Sequence, residues 1–213
     1  MKCLPIFFFF IVQISHSQDL TLIKLTKEEI NRKVKYHYKW ESIVGHVAVI
    51  DLFLFRDQTF EYSEVSNIYY AYSFGKWESD GNIVVLNSDF QKGTLPIKVT
   101  YRQRDTFDFT VKKIAFVRDL NEKPISNAFV HINNDSTSCM DGDLLCNRKY
   151  KQIDSIKVVL ENNGPSSNWV SIIPHTGLVQ ITILTTHDLR NYVILKDRKY
   201  NLDGGRLKYS NDN

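Results

Sequence analysis

From residue 47 onward, apolar side chains recur mostly at every second position, within short runs rich in Val, Ile, Tyr, Phe and Thr. Tyr70, Tyr72 and Phe74 follow this spacing, and residues 128–132 repeat it with Ala, Val and Ile. Successive side chains of a strand point to opposite faces of a sheet, so a period of two puts the large residues of each segment on one face. Turn residues separate these segments at the spacing typical of domains built from strands. The sequence therefore predicts an all-β fold.

Residues 18–110 have the features of an antiparallel β-meander. Val47–Phe55 is a nearly continuous apolar strand, and Thr59–Tyr62 forms a return strand after a polar turn. The Asp-Gly step at residues 80–81 tolerates the positive φ angle of a tight hairpin. We predict that this region is an antiparallel β-meander domain or a small barrel.

Only one segment of the chain favours a helix. Thr26 and Glu29 have the spacing of a capping box, and Ile30 and Val34 would share one helical face behind it. The β-rich sequence that follows limits this N-terminal helix to two or three turns.

The second half begins with a strand at Ile114–Asp119 and a polar turn in which Pro124 fixes φ. A strand with alternating Ala, Val and Ile follows at Ser126–Ile132, and then a Ser-Thr-Ser stretch and an Asp-Gly turn at residues 136–142. Together these motifs resemble the carboxypeptidase regulatory-like, transthyretin-like family over residues 110–160. The resemblance implies an immunoglobulin-like β-sandwich domain at residues 111–213, of a kind that serves as an accessory module on secreted or outer-membrane proteins and has no catalytic residues.

The sequence departs from this family at residues 144–146, where Leu-Leu-Cys replaces the usual aromatic strand after the Asp-Gly turn. The first half, in turn, is similar to small secreted bacterial β-meander proteins. Its similarity lies in an Asp-x-Thr-Phe turn at residues 57–60, Gly-Lys-Trp at 75–77 and Asp-Gly-Asn at 80–82.

The N-terminus has the three parts of a secretion signal. Lys2 supplies the positive charge, Leu4–Ile14 is an apolar run, and small residues at Ser15 and Ser17 form a cleavage site. The apolar run is shorter than the about 20 residues that a membrane-spanning helix needs. We therefore expect residues 1–17 to be removed, giving a secreted protein, periplasmic or extracellular, with no transmembrane segment in the mature chain.

Export would leave two cysteines, Cys139 and Cys146, in a compartment that permits disulfides. We expect them to form a bridge, because a zinc site would need further cysteine or histidine ligands at characteristic spacings. Between and around them, Asp135, Asp141 and Asp143 offer oxygen ligands for Ca²⁺, although the glutamate that completes an EF-hand is missing. The alternative is a solvated acidic turn, and no other cofactor is expected.

Charge and motifs exclude several classes of function. The formal net charge is +3, with 24% charged residues, and no segment resembles a nucleic-acid recognition helix, so we expect no nucleic-acid partner. Neither GxSxG nor HExxH occurs. His187 and Asp188 are neighbours whose side chains would diverge on a strand, so the chain is not predicted to be an enzyme.

Aromatic residues are concentrated on one predicted strand. Tyr69, Tyr70, Tyr72 and Trp77 could hold a carbohydrate or an apolar ligand, since each ring offers a large rigid surface. The alternative is that Tyr70, Tyr72 and Phe74 pack in the core, in which case Tyr69 and Ala71 would face water.

Three hypotheses for the function follow from these observations. The first is a secreted or cell-envelope module, without catalysis, that has a structural role or binds a protein partner. The second is a protein that binds a small ligand or a carbohydrate through the aromatic residues of the meander. The third is an extracellular hydrolase whose site is assembled from scattered residues. The partner expected from the first two is a protein or a glycan at the cell surface or outside the cell.

Overall fold

A computed structural model of the chain describes residues 19–42, 48–102, 115–125, 127–134, 138–140, 153–161, 164–173 and 178–210. No helix in these ranges is long and apolar enough to cross a membrane. The described elements are one short helix and fifteen strands: β1 (Leu20–Ile23), α1 (Lys27–Asn31), β2 (Val34–Ser42), β3 (Ala48–Phe55), β4 (Thr59–Ser66), β5 (Tyr70–Asp80), β6 (Ile83–Ser88), β7 (Ile97–Arg102), β8 (Ala115–Arg118), β9 (Ala128–Ile132), β10 (Ser138–Met140), β11 (Ser155–Leu160), β12 (Val170–Ser171), β13 (Leu178–Ile183), β14 (Arg198–Asp203) and β15 (Arg206–Tyr209).

Eight of the strands form a closed antiparallel barrel in the order β1-β15-β14-β6-β5-β4-β3-β2. The barrel closes at β1, where Leu20 lies opposite Leu207 of β15 and Leu22 lies opposite Tyr38 of β2. The prediction of an all-β fold is confirmed, and the first half of the chain supplies six strands of the barrel. Closure leaves this sheet without an unpaired edge.

The interior of the barrel is filled by side chains from all eight strands, as expected for a barrel of this size. Phe60, Leu52 and Leu86 are each at most 1% exposed. The other buried members of this core are Leu20, Tyr38, Ile50, Leu54, Trp77, Val84, Leu195, Tyr200 and Leu207. The barrel therefore has a hydrophobic core of its own.

The strands β7 to β13 form a second unit, called here the two-sheet unit. One sheet has the order β10-β9-β11-β12 and the other the order β7-β13-β8. Both sheets bury side chains in one shared core, which includes Val130 and Val158 from the first sheet and Ile181 from the second. The central strand β13 is antiparallel to β7 and parallel to β8.

The domain boundary that the sequence predicts at residue 110 does not match the way the strands are divided between the barrel and the two-sheet unit. β7, before this position, pairs with β13, and the hairpin of β14 and β15 at residues 198–209 belongs to the barrel. Strand pairing decides membership of a sheet, and both of these pairings join segments far apart in the sequence. The two-sheet unit is thus inserted between β6 and β14 of the barrel.

Helix α1 is shorter than predicted but begins as expected. The Glu29 N–H donates to Thr26 Oγ1 at 3.2 Å, and the Thr26 N–H donates to Glu29 Oε2 at 2.6 Å, which completes the capping box. His37 of β2 connects the helix to the barrel, since its Nε2 lies 2.8 Å from Asp51 Oδ1 and its Nδ1 lies 2.8 Å from Glu29 Oε1. The contact with Glu29 is an ion-pair distance without the alignment of a hydrogen bond. Strand β2 begins three residues after the helix ends and so limits its length.

Candidate functional site

Strand β5 presents small residues to the barrel interior and large aromatic residues to the outside. Ala71 and Ser73 are buried, at 0% and 1% exposure, whereas Tyr70 is 48% exposed. Tyr72 and Phe74, on the same outer face, pack against the core of the two-sheet unit. The expectation that Ala71 faces water is therefore reversed, because the barrel core is already filled by large side chains from other strands.

Trp77 lies on the other face of β5. Its side chain is in the barrel core at 6% exposure, and its Nε1–H donates to the Phe55 carbonyl at 3.0 Å. Trp77 is seven positions after Tyr70 and five after Tyr72, and an odd offset along a strand places side chains on opposite faces. The structure thus brings three of the four predicted ligand-binding aromatic residues together and leaves Trp77 out of the group.

A loop continues the sheet beside the outer tyrosines. The Tyr72 N–H donates to the Asn191 carbonyl at 3.1 Å, and the Val193 N–H donates to the Tyr72 carbonyl at 2.9 Å. Tyr192 fixes this loop, because its hydroxyl donates to the Phe74 carbonyl at 3.0 Å and accepts from the Phe90 N–H at 3.3 Å. The loop therefore forms a wall that rises beside β5.

A cleft of about 1050 Å³ lies between this wall and β5, and we call it the tyrosine cleft. Tyr69, Tyr70 and Tyr72 line it from the barrel, and residues 187–194 line it from the loop. Asn127 and Glu161 add polar groups from the two-sheet unit. Clefts of this size, with a few polar groups among aromatic ones, are typical of sites for small molecules.

The aromatic rings follow one another along the strand in a row. The ring centroids of Tyr70 and Tyr72 are 5.9 Å apart at an interplanar angle of 23°, and those of Tyr72 and Phe74 are 6.4 Å apart at 20°. Tyr192 meets Tyr72 edge to face at 5.6 Å. Neighbouring rings on both sides restrict the rotation of Tyr72, so the centre of the row is ordered before any ligand arrives.

Asp188 and Arg190 form a bidentate pair on the wall of the cleft. The Arg190 Nε donates to both carboxylate oxygens of Asp188 at 2.9 Å, and its Nη2 donates to Oδ2 as well. These hydrogen bonds from Arg190 lower the pKa of Asp188, so the carboxylate is ionised at neutral pH. Burial, and then the negative charge of Asp188, raise the pKa of Tyr72, whose hydroxyl stays protonated.

Two polar atoms at the cleft lack a hydrogen-bond partner among the described residues. They are the Tyr72 hydroxyl and Asn127 Oδ1, which are both buried. One comes from the barrel and the other from the two-sheet unit, and both residues line the tyrosine cleft. Burying such a group without a partner costs about 1–3 kcal/mol, so a small movement that gives either atom a partner is favourable.

His187 is placed for packing against an aromatic ring. Its ring centroid is 4.2 Å from that of Phe74, and its backbone N–H donates to Thr185 Oγ1 at 3.1 Å. The neighbouring carboxylate of Asp188 is engaged by Arg190 instead of the imidazole. The two adjacent residues therefore do not form the histidine–carboxylate pair that a nucleophile would need.

The proposed metal and disulfide residues fall largely outside the described part of the chain. Asp135, Asp141, Asp143 and Cys146 all lie in undescribed segments. Cys139 lies on β10, where its backbone pairs with Val130. Within the described ranges, no group of three or more His, Cys, Asp or Glu side chains could hold a metal ion.

Sequence reasoning missed the loop that forms the wall of the cleft. Asp188, Arg190 and Tyr192 stand about 120 residues after the tyrosines in the chain, and no periodic pattern connects the two segments. The available signal was the short polar run His-Asp-Leu-Arg-Asn at residues 187–191, in which Asp188 and Arg190 are spaced to pair with each other.

Comparison of the chain with protein-family models, with curated protein sequences and with solved structures gave no match.

Proposed function

We propose that this protein binds a saccharide in the tyrosine cleft and does not transform it chemically. The observation that carries the proposal is the cleft of about 1050 Å³, in which the partly exposed Tyr69, Tyr70 and Tyr72 face polar groups of the loop and the two-sheet unit. A sugar ring has an apolar face of C–H groups and an edge of hydroxyl groups. An aromatic row beside hydrogen-bonding side chains suits both.

The polar groups of the cleft suit hydroxyl groups in particular. Asp188 and Glu161 accept hydrogen bonds, Arg190 donates them, and the amide of Asn127 does both. Neighbouring hydroxyls of a sugar are spaced to meet such paired donors and acceptors. An entirely apolar ligand would leave these groups without water and without partners, which opposes its binding.

Binding without catalysis is favoured by the arrangement at His187. Its ring packs on Phe74, and the adjacent Asp188 is held by Arg190, so no base with an orienting carboxylate is present among the residues that line the cleft.

The proposal is tested by measuring the affinity of the purified protein for a panel of soluble oligosaccharides. The affinity for each oligosaccharide that binds is then measured again with a Tyr70→Ala variant. We expect about a two- to tenfold loss of affinity, because a stacked aromatic ring contributes about 0.5–1.5 kcal/mol beyond the area it buries. Tyr209→Ala is the matched control, since Tyr209 is 38% exposed, lies on β15 and is not among the residues that line the cleft. A protein that binds no sugar in a broad glycan panel, or equal effects of the two variants, would contradict the proposal.

A second candidate function, binding of a protein partner, is favoured by the turn between β4 and β5. Ile68 is 95% exposed, and the neighbouring Val65 and Tyr69 are 45% and 47% exposed. An exposed apolar tip on an otherwise polar turn is a common feature of contact sites between proteins. A photo-crosslinking residue at position 68 should then capture a defined partner on the native cell surface, whereas one at Asp80 should not.

We further propose, on the resemblance of residues 110–160, that the two-sheet unit is a transthyretin-like accessory module. Support comes from its two sheets around one shared core. Its role beside the barrel would be to supply Asn127 and Glu161 to the cleft.

A further inference from the structure

A second cavity adjoins the tyrosine cleft on the outer face of the barrel. Its volume is about 680 Å³, and its floor includes Phe53 of β3, Glu61 of β4 and Phe74 of β5. Tyr70, Tyr72 and His187 line both cavities. The two cavities are therefore neighbouring parts of one depression, which we call the barrel trough.

The size of the barrel trough exceeds what one small ligand needs. Sites for a single small molecule measure about 300–1000 Å³, and each cavity alone reaches that range. A ligand that lies across Tyr70 and Tyr72 would extend into both cavities. This geometry suits a chain of several sugar units better than a single sugar.

Negative charge predominates along the barrel trough. Its lining contains five carboxylates and two arginines: Asp57, Glu61, Asp89, Glu161 and Asp188, against Arg32 and Arg190. Each arginine is already paired with a carboxylate, Arg32 with Glu61 at 2.6 Å and Arg190 with Asp188. Three carboxylates thus remain without an arginine partner within the described residues.

The three remaining carboxylates are distributed along the length of the trough. Glu161 lines the tyrosine cleft, and Asp57 and Asp89 line the second cavity. Hydrogen bonds from Thr59 lower the pKa of Asp57, with a smaller contribution from the charge of Lys76, so this carboxylate is ionised at neutral pH. An acidic chain would be repelled along this path, and a chain with positive groups would be attracted.

The second cavity already holds one cation against aromatic rings. The Arg32 guanidinium carbon lies 5.8 Å from the centroid of Phe53 and 5.5 Å from that of Phe55. These distances are typical of cation–π contacts, so Arg32 occupies these ring faces. A ligand amine in this cavity would therefore be bound by the carboxylates of Asp57 and Asp89, which also line it.

We infer that the barrel trough binds an extended oligosaccharide that carries free amino groups. This inference rests on the proposed saccharide binding and adds to it the length and the charge of the ligand. The chain would cross Tyr70 and Tyr72 and place its amines near Glu161 in one cavity and near Asp57 and Asp89 in the other.

The experiment measures the affinity of the full-length protein for glucosamine oligomers of increasing length by titration calorimetry. The same lengths of N-acetylglucosamine oligomer serve as neutral probes, and galacturonic acid oligomers serve as acidic probes. We expect the affinity for glucosamine oligomers to rise about tenfold or more from the dimer to the hexamer, because the longer chain reaches both cavities. We also expect the amino oligomers to bind more tightly than the acetylated ones at low salt, and this difference to shrink as salt is added.

An Asp89→Asn variant tests the second cavity separately. Asp89 is exposed and lines this cavity but not the tyrosine cleft. The variant should weaken binding of the glucosamine hexamer about two- to fivefold and leave that of the dimer nearly unchanged. Asp80→Asn removes the same charge at an exposed position outside both cavities and should change neither affinity.

The outcomes separate this inference from the proposed function. If sugars bind but the hexamer binds no more tightly than the dimer, or the acetylated or acidic chains bind as tightly as the amino chain, the inference is wrong and saccharide binding stands. If no sugar of any kind binds, the proposed function fails and the inference fails with it.

Discussion

At the scale of single residues, Gly75 shows how closely the strands of the barrel approach one another. A Cβ atom at this position would lie 2.1 Å from the Asn87 carbonyl oxygen and 2.7 Å from the Ser88 Cα. Both neighbours are backbone atoms of β6, which cannot rotate away as a side chain could. A side chain at position 75 therefore has no room, and the small size of Gly75 lets β5 approach β6 closely where Gly75 lies opposite Ser88.

We expect Gly75→Ala to lower the free energy of unfolding by about 1–3 kcal/mol, the usual cost of forcing an extra group into a packed region. Denaturant unfolding of both proteins measures the difference. Gly81→Asn is a suitable control, because nothing lies within 4 Å of a Cβ at that position and asparagine tolerates its φ of +56°. An equal loss of stability in the two variants would show that the contact with β6 is not the cause.

The cysteine pair gives a second prediction at this scale. We predict a disulfide between Cys139 and Cys146, six residues apart in the intervening sequence. The bridge should stabilise the folded state by about 2 kcal/mol, because it reduces the conformational freedom of the unfolded chain. A peptide map without reductant should contain the two cysteines in one linked fragment. Two thiols that react with an alkylating agent in the native protein would contradict the prediction.

At the scale of elements, sequence reasoning succeeded where the interacting residues are close in the chain. The Thr26–Glu29 capping box is present, and the turns before Thr59 and at Gly81 join neighbouring antiparallel strands as predicted. Local turn chemistry and helix caps depend on residues within a few positions of each other, so a single sequence contains their signals.

Sequence reasoning failed where an element depends on a partner that is far away in the chain. Alternation along β5 divides its residues between two faces, but it does not say which face is inside. That choice follows from Phe60, Trp77 and Leu86, which fill the barrel, and from the two-sheet unit, which covers Tyr72 and Phe74. The pairing of β7 with β13, about 80 residues later, has no local signal either.

The capped helix gives a prediction about pH. A backbone hydrogen bond from Thr26 is the largest cause that lowers the pKa of Glu29 from its ordinary value of 4.5. A carboxyl group whose folded pKa is lowered stabilises the folded state above its unfolded pKa, and this stabilisation is lost as the pH falls through the folded pKa. We therefore expect Glu29→Gln to reduce stability by about 1 kcal/mol or less at neutral pH, and the difference from the unmodified protein to disappear in acid.

Unfolding measured across a series of pH values checks this prediction. Glutamine can still take part in a capping box, so the substitution removes the charge and keeps the shape of the side chain. A difference between the two proteins that stays constant down to strongly acidic pH would mean that ionisation of Glu29 does not contribute.

At the scale of the whole molecule, export is the prediction with the clearest test. The apolar run Leu4–Ile14, preceded by Lys2, predicts that residues 1–17 are removed during secretion. Mass spectrometry of the protein recovered outside the cytoplasm should therefore identify an N-terminus near Gln18. Recovery of the exported protein with Met1 in place would contradict it.

The barrel is completed by β14 and β15, which the ribosome makes after the two-sheet unit. β6 ends at Ser88 and β14 begins at Arg198, so about 110 residues are synthesised before β1 and β6 receive their missing neighbours. At ordinary rates of translation this takes about 5–20 seconds. During that interval a nascent sheet of six strands would expose two open edges, each able to pair with another chain. This topology therefore requires those edges to be protected during synthesis. The folded protein does not require it, because the closed barrel pairs both edges.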